Sequence, residues 1–107
     1  MFARLSAVVD VGLMGHRSGV DPLVQGYSGL MSSTGSAESG PTRSGIAISD
    51  VLGGLCNTIA ILCALLERPR SGRWPVARTS FPEATMSMLP VQAGNYSASR
   101  QAHIAER

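Results

Sequence analysis

The chain has no lysine, and its nine basic residues are all arginine. Aromatic residues are scarce, with one Trp, two Tyr and two Phe among 107 residues. Cysteines number two, and charged residues make up 15% of the chain with a net charge of +2. Each shortage excludes something. A balance of +2 without a basic stripe excludes the electrostatic footprint of a nucleic-acid binder, and equally that of a protein held on an acidic membrane surface. So few aromatics leave a sheet sandwich without its usual cross-strand pairs, and place the apolar content in aliphatic side chains suited to helices in an α/β core. Cys56 and Cys63 lie seven apart in one apolar stretch. On a helix they are separated by about 10.5 Å along the axis, which excludes a disulfide between them and indicates reduced thiols. Residues 1–13 lack the apolar core and small-residue cleavage pattern of a secretion signal, so a cytoplasmic protein is expected. The longest apolar run, 51–66, is interrupted by Gly53, Gly54, Asn57 and Thr58 and falls short of the roughly 20 residues of a spanning helix. No membrane partner is expected.

The familiar signatures of nucleotide and metal chemistry are missing too. There is no GxGxxG and no Walker-type loop, so no phosphate cradle is indicated. The run Gly26-Tyr27-Ser28-Gly29-Leu30 lacks the second glycine of a nucleophile elbow at the required place. His16 and His103 stand alone, without Cys or carboxylate neighbours at ligand spacing, so no metal site is expected. Arg68, Arg70, Arg73 and Arg78 form a local basic group, read as a solvated helix end because cations are favourable near a helix C-terminus.

What is present is a short series of elements in a chain long enough for one small domain. Residues 1–9 predict a strand with Phe2, Leu5, Val8 and Val9 as candidates for burial, and the glycine-containing stretch 10–20 predicts a loop. Asp21 followed by Pro22 predicts a helix start, with Asp21 as the cap, where an Asn would serve as well. Leu23, Val24, Tyr27, Leu30 and Met31 continue that helix to about Ser32 or Ser33, and 33–45 predicts a loop. A second helix is expected from Ser49 or Asp50 to about Glu67, with Val51, Leu55, Ile59, Leu62 and Leu66 on its apolar face. Pro69, Gly72 and Pro75 are expected to stop it. Residues 82–92 predict a short helix broken at Pro90, followed by a polar tail after Gly94, and the elements supply no sheet of their own.

Asp50 is the residue that invites chemistry. A carboxylate at the start of a long apolar helix sits at the positive end of the helix dipole, which favours its ionised form. Gly53 and Gly54, one turn in, leave room for a ligand or another backbone to approach. The same position suits a plain helix cap, and spacing does not choose between the two.

Three segments taken together carry a resemblance: His16 to Gly35 (HRSGVDPLVQGYSGLMSSTG), Gly40 to Leu55 (GPTRSGIAISDVLGGL) and Ile61 to Arg73 (ILCALLERPRSGR). In order and separation they resemble the central part of family III CoA-transferases. The resemblance runs from about 16 to 96, with local departures between 74 and 82, where Trp74-Pro75 replaces a Gly-Gln turn. It implies an α/β fold class, with residues 1–107 forming part of a Rossmann-like large domain that is mostly helical as it stands. It also implies a role for Asp50 as the nucleophile, which attacks an acyl-CoA thioester, forms a mixed anhydride and then carries CoA as an aspartyl thioester. CoA is then a substrate, not a cofactor. The other substrates are an acyl-CoA and a carboxylic acid, no nucleic acid or membrane takes part, and the full-length family is a homodimer. No CoA-binding residue is assigned by the resemblance. The racemase branch of the family has a histidine where this chain has Val20, so transfer is favoured over racemisation. An inactive fragment and a small helical interaction protein are the alternative readings.

Overall fold

The computed structural model describes residues 2–8 and 18–101. Val9, most of the predicted loop 10–20, His16 and His103 lie outside the described residues. Phe2–Ser6 forms strand β1 as expected, and Val76–Ser80 forms a second long strand, which we label β4. The two pair in parallel and in step, Phe2 opposite Val76 through to Ser6 opposite Ser80. A small parallel sheet therefore exists where the sequence promised none. Pro75, which has no N–H to give a ladder, stands immediately before β4, so its missing donor interrupts nothing. Of the candidates for burial in the first segment, Val8 is buried while Phe2 and Leu5 are exposed. Parallel strands are normally covered on both faces and flanked on both edges, whereas β1 has one strand neighbour among the described residues.

Between these strands, the described residues form three helices and a hairpin. Helix α1 spans Asp21–Tyr27 and α2 spans Leu30–Ser33. The single helix expected over this stretch is broken at Gly29, whose φ of 82° is left-handed, a conformation glycine adopts without the Cβ clash other residues meet. The predicted loop then contains a minimal hairpin of β2 (Gly35–Ser36) and β3 (Gly40–Pro41).

Helix α3 spans Ile48–Ser71, longer than expected at both ends. It passes through Pro69 and stops at Gly72, which is left-handed and returns its N–H to the Arg68 carbonyl at 3.0 Å. Proline is tolerated there because residues 65–71 are exposed, so the carbonyl its ring deprives of a partner is open to water. By length and composition α3 is long and apolar enough to cross a membrane. After Gly72 the chain turns back, with the Arg68 guanidinium stacked 3.9 Å from the centre of the Trp74 ring.

Ser80 ends β4 and opens α4 (Phe81–Met86) with a reciprocal cap: its Oγ accepts the Glu83 N–H, while Glu83 Oε2 accepts the Ser80 N–H at 3.2 Å. The expected break at Pro90 is present. Helix α5 (Pro90–Ser99) starts there and continues through the segment predicted as a polar tail. The buried apolar residues among those described, Val8, Val24, Ala64, Ala77, Ala84 and Leu89, are mostly small.

Candidate active site

Asp50 is the third residue of α3 and is exposed. It forms no hydrogen bond or ion pair among the described residues, and so does not cap the helix that carries it. Another residue fills that role. Asp21 does not cap its own helix either, since the N-cap of α1 is Val20 and makes no side-chain cap bond. The buried Asp21 carboxylate reaches across to α3, where Oδ1 accepts the Ser49 N–H at 2.8 Å. That N–H belongs to the second helical residue and is one of the donors a capping side chain normally satisfies.

Gln25, one turn after Asp21 and fully buried, holds this carboxylate and the approach to α3 together. Its Nε2 donates to Asp21 Oδ2 at 2.6 Å and to the Ile46 carbonyl at 3.3 Å, and its Oε1 accepts the Ser44 N–H at 2.8 Å. The segment 44–49 is thereby tied to α1 at three points, and the first turn of α3 carries Asp50 on a fixed backbone. Asp50 projects into solvent in the first turn of a 24-residue helix, at the positive end of its dipole. Ser49 Oγ, wholly buried beside it, has no hydrogen-bond partner among the described residues.

The two glycines beyond Asp50 have different surroundings. Gly53 is buried against the Phe81 ring, so the space left by its missing side chain is filled by protein and not by a ligand. Gly54, one turn from Asp50 on the same side of the helix, has nothing within 4 Å of where a Cβ would stand. Only Gly54 keeps the open approach expected of the pair. Neither a cleft of about 500 Å³ beside Trp74 nor a groove of about 350 Å³ between α2 and α5 is lined by Asp50. Arg68 and Arg70 lie at the far end of α3, about 27 Å or more along the axis from Asp50, consistent with a solvated helix end. Cys56 and Cys63 are free, as the helical spacing required.

The sequence reading missed Gln25 and the direction in which Asp21 acts. A signal was available: two hydrogen-bonding side chains at i and i+4 amid the apolar residues of one helix are suited to a buried pair. What they bind could not be read, because Ser44, Ile46 and Ser49 are 19 to 28 residues away in the chain.

Comparison with known proteins agrees with this architecture. The profile of CoA-transferase family III matches residues 3–106. A succinyl-CoA:glutarate CoA-transferase of Mus musculus is 31% identical over 96 residues, covering 90% of this chain and 22% of that protein. A succinate–glutarate CoA-transferase of Agrobacterium fabrum is 34% identical over 96 residues, 90% of this chain and 24% of its own length. Among solved structures, a CAIB/BAIF family protein from Brucella suis superposes with a TM-score of 0.89 at 30% identity, covering 95% of this chain and 27% of that one. The α/β large-domain expectation is borne out, and the chain spans about a quarter of the length of the relatives it matches. With a family profile matched over nearly all its residues and a fold superposing on a solved member, the chain belongs to CoA-transferase family III.

Proposed function

We propose that this chain is the nucleophile-bearing segment of a CoA-transferase and that Asp50 carries the transferred groups. The observation behind this reading is that Asp50 sits unengaged at the start of α3 while Asp21 provides the cap. A carboxylate needed for capping is not free to attack, and this one is not needed. The relatives named as CoA-transferases support the reaction class.

In the proposed sequence, an Asp50 oxygen attacks the thioester carbonyl of an acyl-CoA, and the C–S bond breaks to release CoA thiolate and leave a mixed anhydride. The thiolate adds to the aspartyl carbonyl of the anhydride, expelling the donor's carboxylate and leaving an aspartyl-CoA thioester. An acceptor carboxylate then attacks that thioester, the thiolate leaves again, and a second anhydride forms. Thiolate attack on the acceptor's carbonyl yields the new acyl-CoA and restores the Asp50 carboxylate. No net proton transfer or redox partner is required. CoA enters as substrate, and Asp50 returns to its starting carboxylate at the end of each cycle. The succinyl and glutaryl groups in the relatives' names make dicarboxylic acids the first substrates to try. We assign the walls that select the acyl group to the remaining family segments, since this chain spans about a quarter of its relatives' length. We place the reaction in the cytoplasm and in a homodimer of the full-length type.

Racemisation is the second reading, and Val20 disfavours it. Exchange of an α-proton needs two bases, and the residue immediately before Asp21 supplies no imidazole.

The test joins this chain to the missing segments of a relative and adds hydroxylamine during turnover with succinyl-CoA and glutarate. The expected product is a hydroxamate at Asp50, with both adduct and transfer lost in Asp50→Asn. An adduct at Asp21, or one that survives in Asp50→Asn, rejects the assignment.

A further inference from the structure

Asp50 is exposed and unpaired among the described residues, so its position is set by the backbone of the first turn of α3. That turn has no cap of its own. The residue ahead of it is Ala47, whose methyl group accepts no hydrogen bond. Ile48 N–H returns to the Ile46 carbonyl at 2.9 Å, Val51 N–H goes to the Ala47 carbonyl at 3.2 Å, and Ser49 N–H goes to Asp21. The outside support of the turn therefore comes from α1, and within α1 it converges on one side chain. Gln25 is the largest fully buried side chain among the described residues, and burying a carboxamide is costly unless its polar atoms are met. Its hydrogen bonds all go to this one region, to Asp21 Oδ2, the Ile46 carbonyl and the Ser44 N–H. A backbone N–H can only donate, so Ser44 fixes which end of the amide is oxygen and leaves the NH₂ for Asp21 and Ile46. An ionised Glu in this place keeps the acceptor and loses both donors, and a Leu keeps neither.

We infer that Gln25 is a positioning residue for the transfer reaction, a reading that rests on Asp50 as the nucleophile. One carboxylate serves every step of the cycle, first as attacker of a thioester and then as the carbonyl that thiolate and acceptor attack in turn. It must therefore return to one place each time, and a displacement of about 1 Å at a reacting group costs on the order of a hundredfold in rate. Gln25 sets that place by two routes. Through Asp21 it holds the carboxylate that takes the Ser49 N–H, and through Ser44 and Ile46 it holds the segment leading into the turn. It also occupies the second oxygen of Asp21. Both oxygens of that buried carboxylate are thus hydrogen-bonded, while those of Asp50 are unpaired, and Gln25 supplies half of the difference.

The test is made in the family-length protein used for Asp50, with succinyl-CoA and glutarate as substrates and circular dichroism establishing that each variant is folded at the assay temperature. Gln25→Leu and the near-isosteric Gln25→Glu should each lower kcat by about tenfold or more and leave KM for both substrates within about twofold, since the network places the nucleophile and binds neither substrate. Trp74→Ala removes the ring on which Arg68 stacks at the far end of α3. It should keep kcat within about twofold, which separates position from general stability. A folded Gln25 variant with parental kcat, a loss carried by KM alone, or an equal loss of kcat in Trp74→Ala overturns the inference. So does failure of both Gln25 variants to fold, because Gln25 then supports the whole fold and has no particular claim on Asp50. The underlying assignment fails separately, in the unsubstituted protein: if hydroxylamine leaves no adduct at Asp50 there, the nucleophile is misassigned and this inference falls with it.

Discussion

The two faces of α3 differ in the opposite way from what their composition suggests. The face packed against the sheet and α4 is built from Ser49, Gly53 and Ala64, all buried, whereas the face bearing Leu55, Ile59, Leu62 and Leu66 is open. The apolar stripe was legible in the sequence, but the side on which this chain packs α3 was not. Close backbone approach decided the matter. At Gly53 the helix comes so near the Phe81 ring that a Cβ has no room, and small residues above and below extend the same contact. Large aliphatic residues hold a partner at a greater distance, and a two-stranded sheet covers a single side of one helix.

The comparison can be broken most directly at Gly53. Gly53→Val is expected to destabilise the fold by about 3 kcal/mol, because the new side chain must displace an aromatic ring in a packed interface. Urea unfolding followed by circular dichroism measures this, and a change below about 0.5 kcal/mol contradicts the packing described for the inner face. Gln25→Leu comes next, at about 1 to 2 kcal/mol, since it leaves the half-buried Ser44 N–H, the Ile46 carbonyl and one oxygen of the buried Asp21 carboxylate without their partners. Hydrogen exchange should show the loss first at the Ser49 amide.

Asp21→Asn sharpens the same point. Taken as a cap of its own helix, Asp21 would accept the change at little cost. In the structure an Asn that keeps its oxygen on Ser49 N–H must turn its NH₂ toward that of Gln25, and Gln25 cannot flip without setting an NH₂ against the Ser44 N–H. A loss of about 1 to 2 kcal/mol is expected in the same unfolding assay. Ser80→Ala, which removes half of the reciprocal cap on α4, should cost about 1 kcal/mol. Leu62→Gln on the outer face should change stability by no more than about 0.5 kcal/mol. A larger loss there would place Leu62 in a core the structure does not contain.

Elements marked by local chemistry were read correctly. The strand at the N-terminus, the helix start at Asp21-Pro22, the α3 stripe, the Pro82-Glu83 first turn and the break at Pro90 all depend on residues within a few positions of one another. The misreadings have local causes of a different kind. Gly29 could continue a helix or end it, and its left-handed φ is set by the direction in which α2 leaves α1. Pro69 was taken as a stop, yet a proline in an exposed last turn costs too little to end a helix that the rest of α3 supports. Polar residues 95–99 carry no apolar periodicity, but α5 was already under way from Pro90.

The sequence by itself determined the apolar stripe of α3, the free thiols, the position of Asp50 in a first helical turn and the resemblance that named the family. Those properties depend on residue type and spacing, which the helix converts directly into faces and ends. Tertiary structure alone decided that Asp21 caps α3 in place of α1, that Gln25 ties α1 to the segment ahead of Asp50, and that the small-residue side of α3 is the one buried. Each of these joins residues far apart in the chain, and which distant donor meets which acceptor is set only when the backbones have packed.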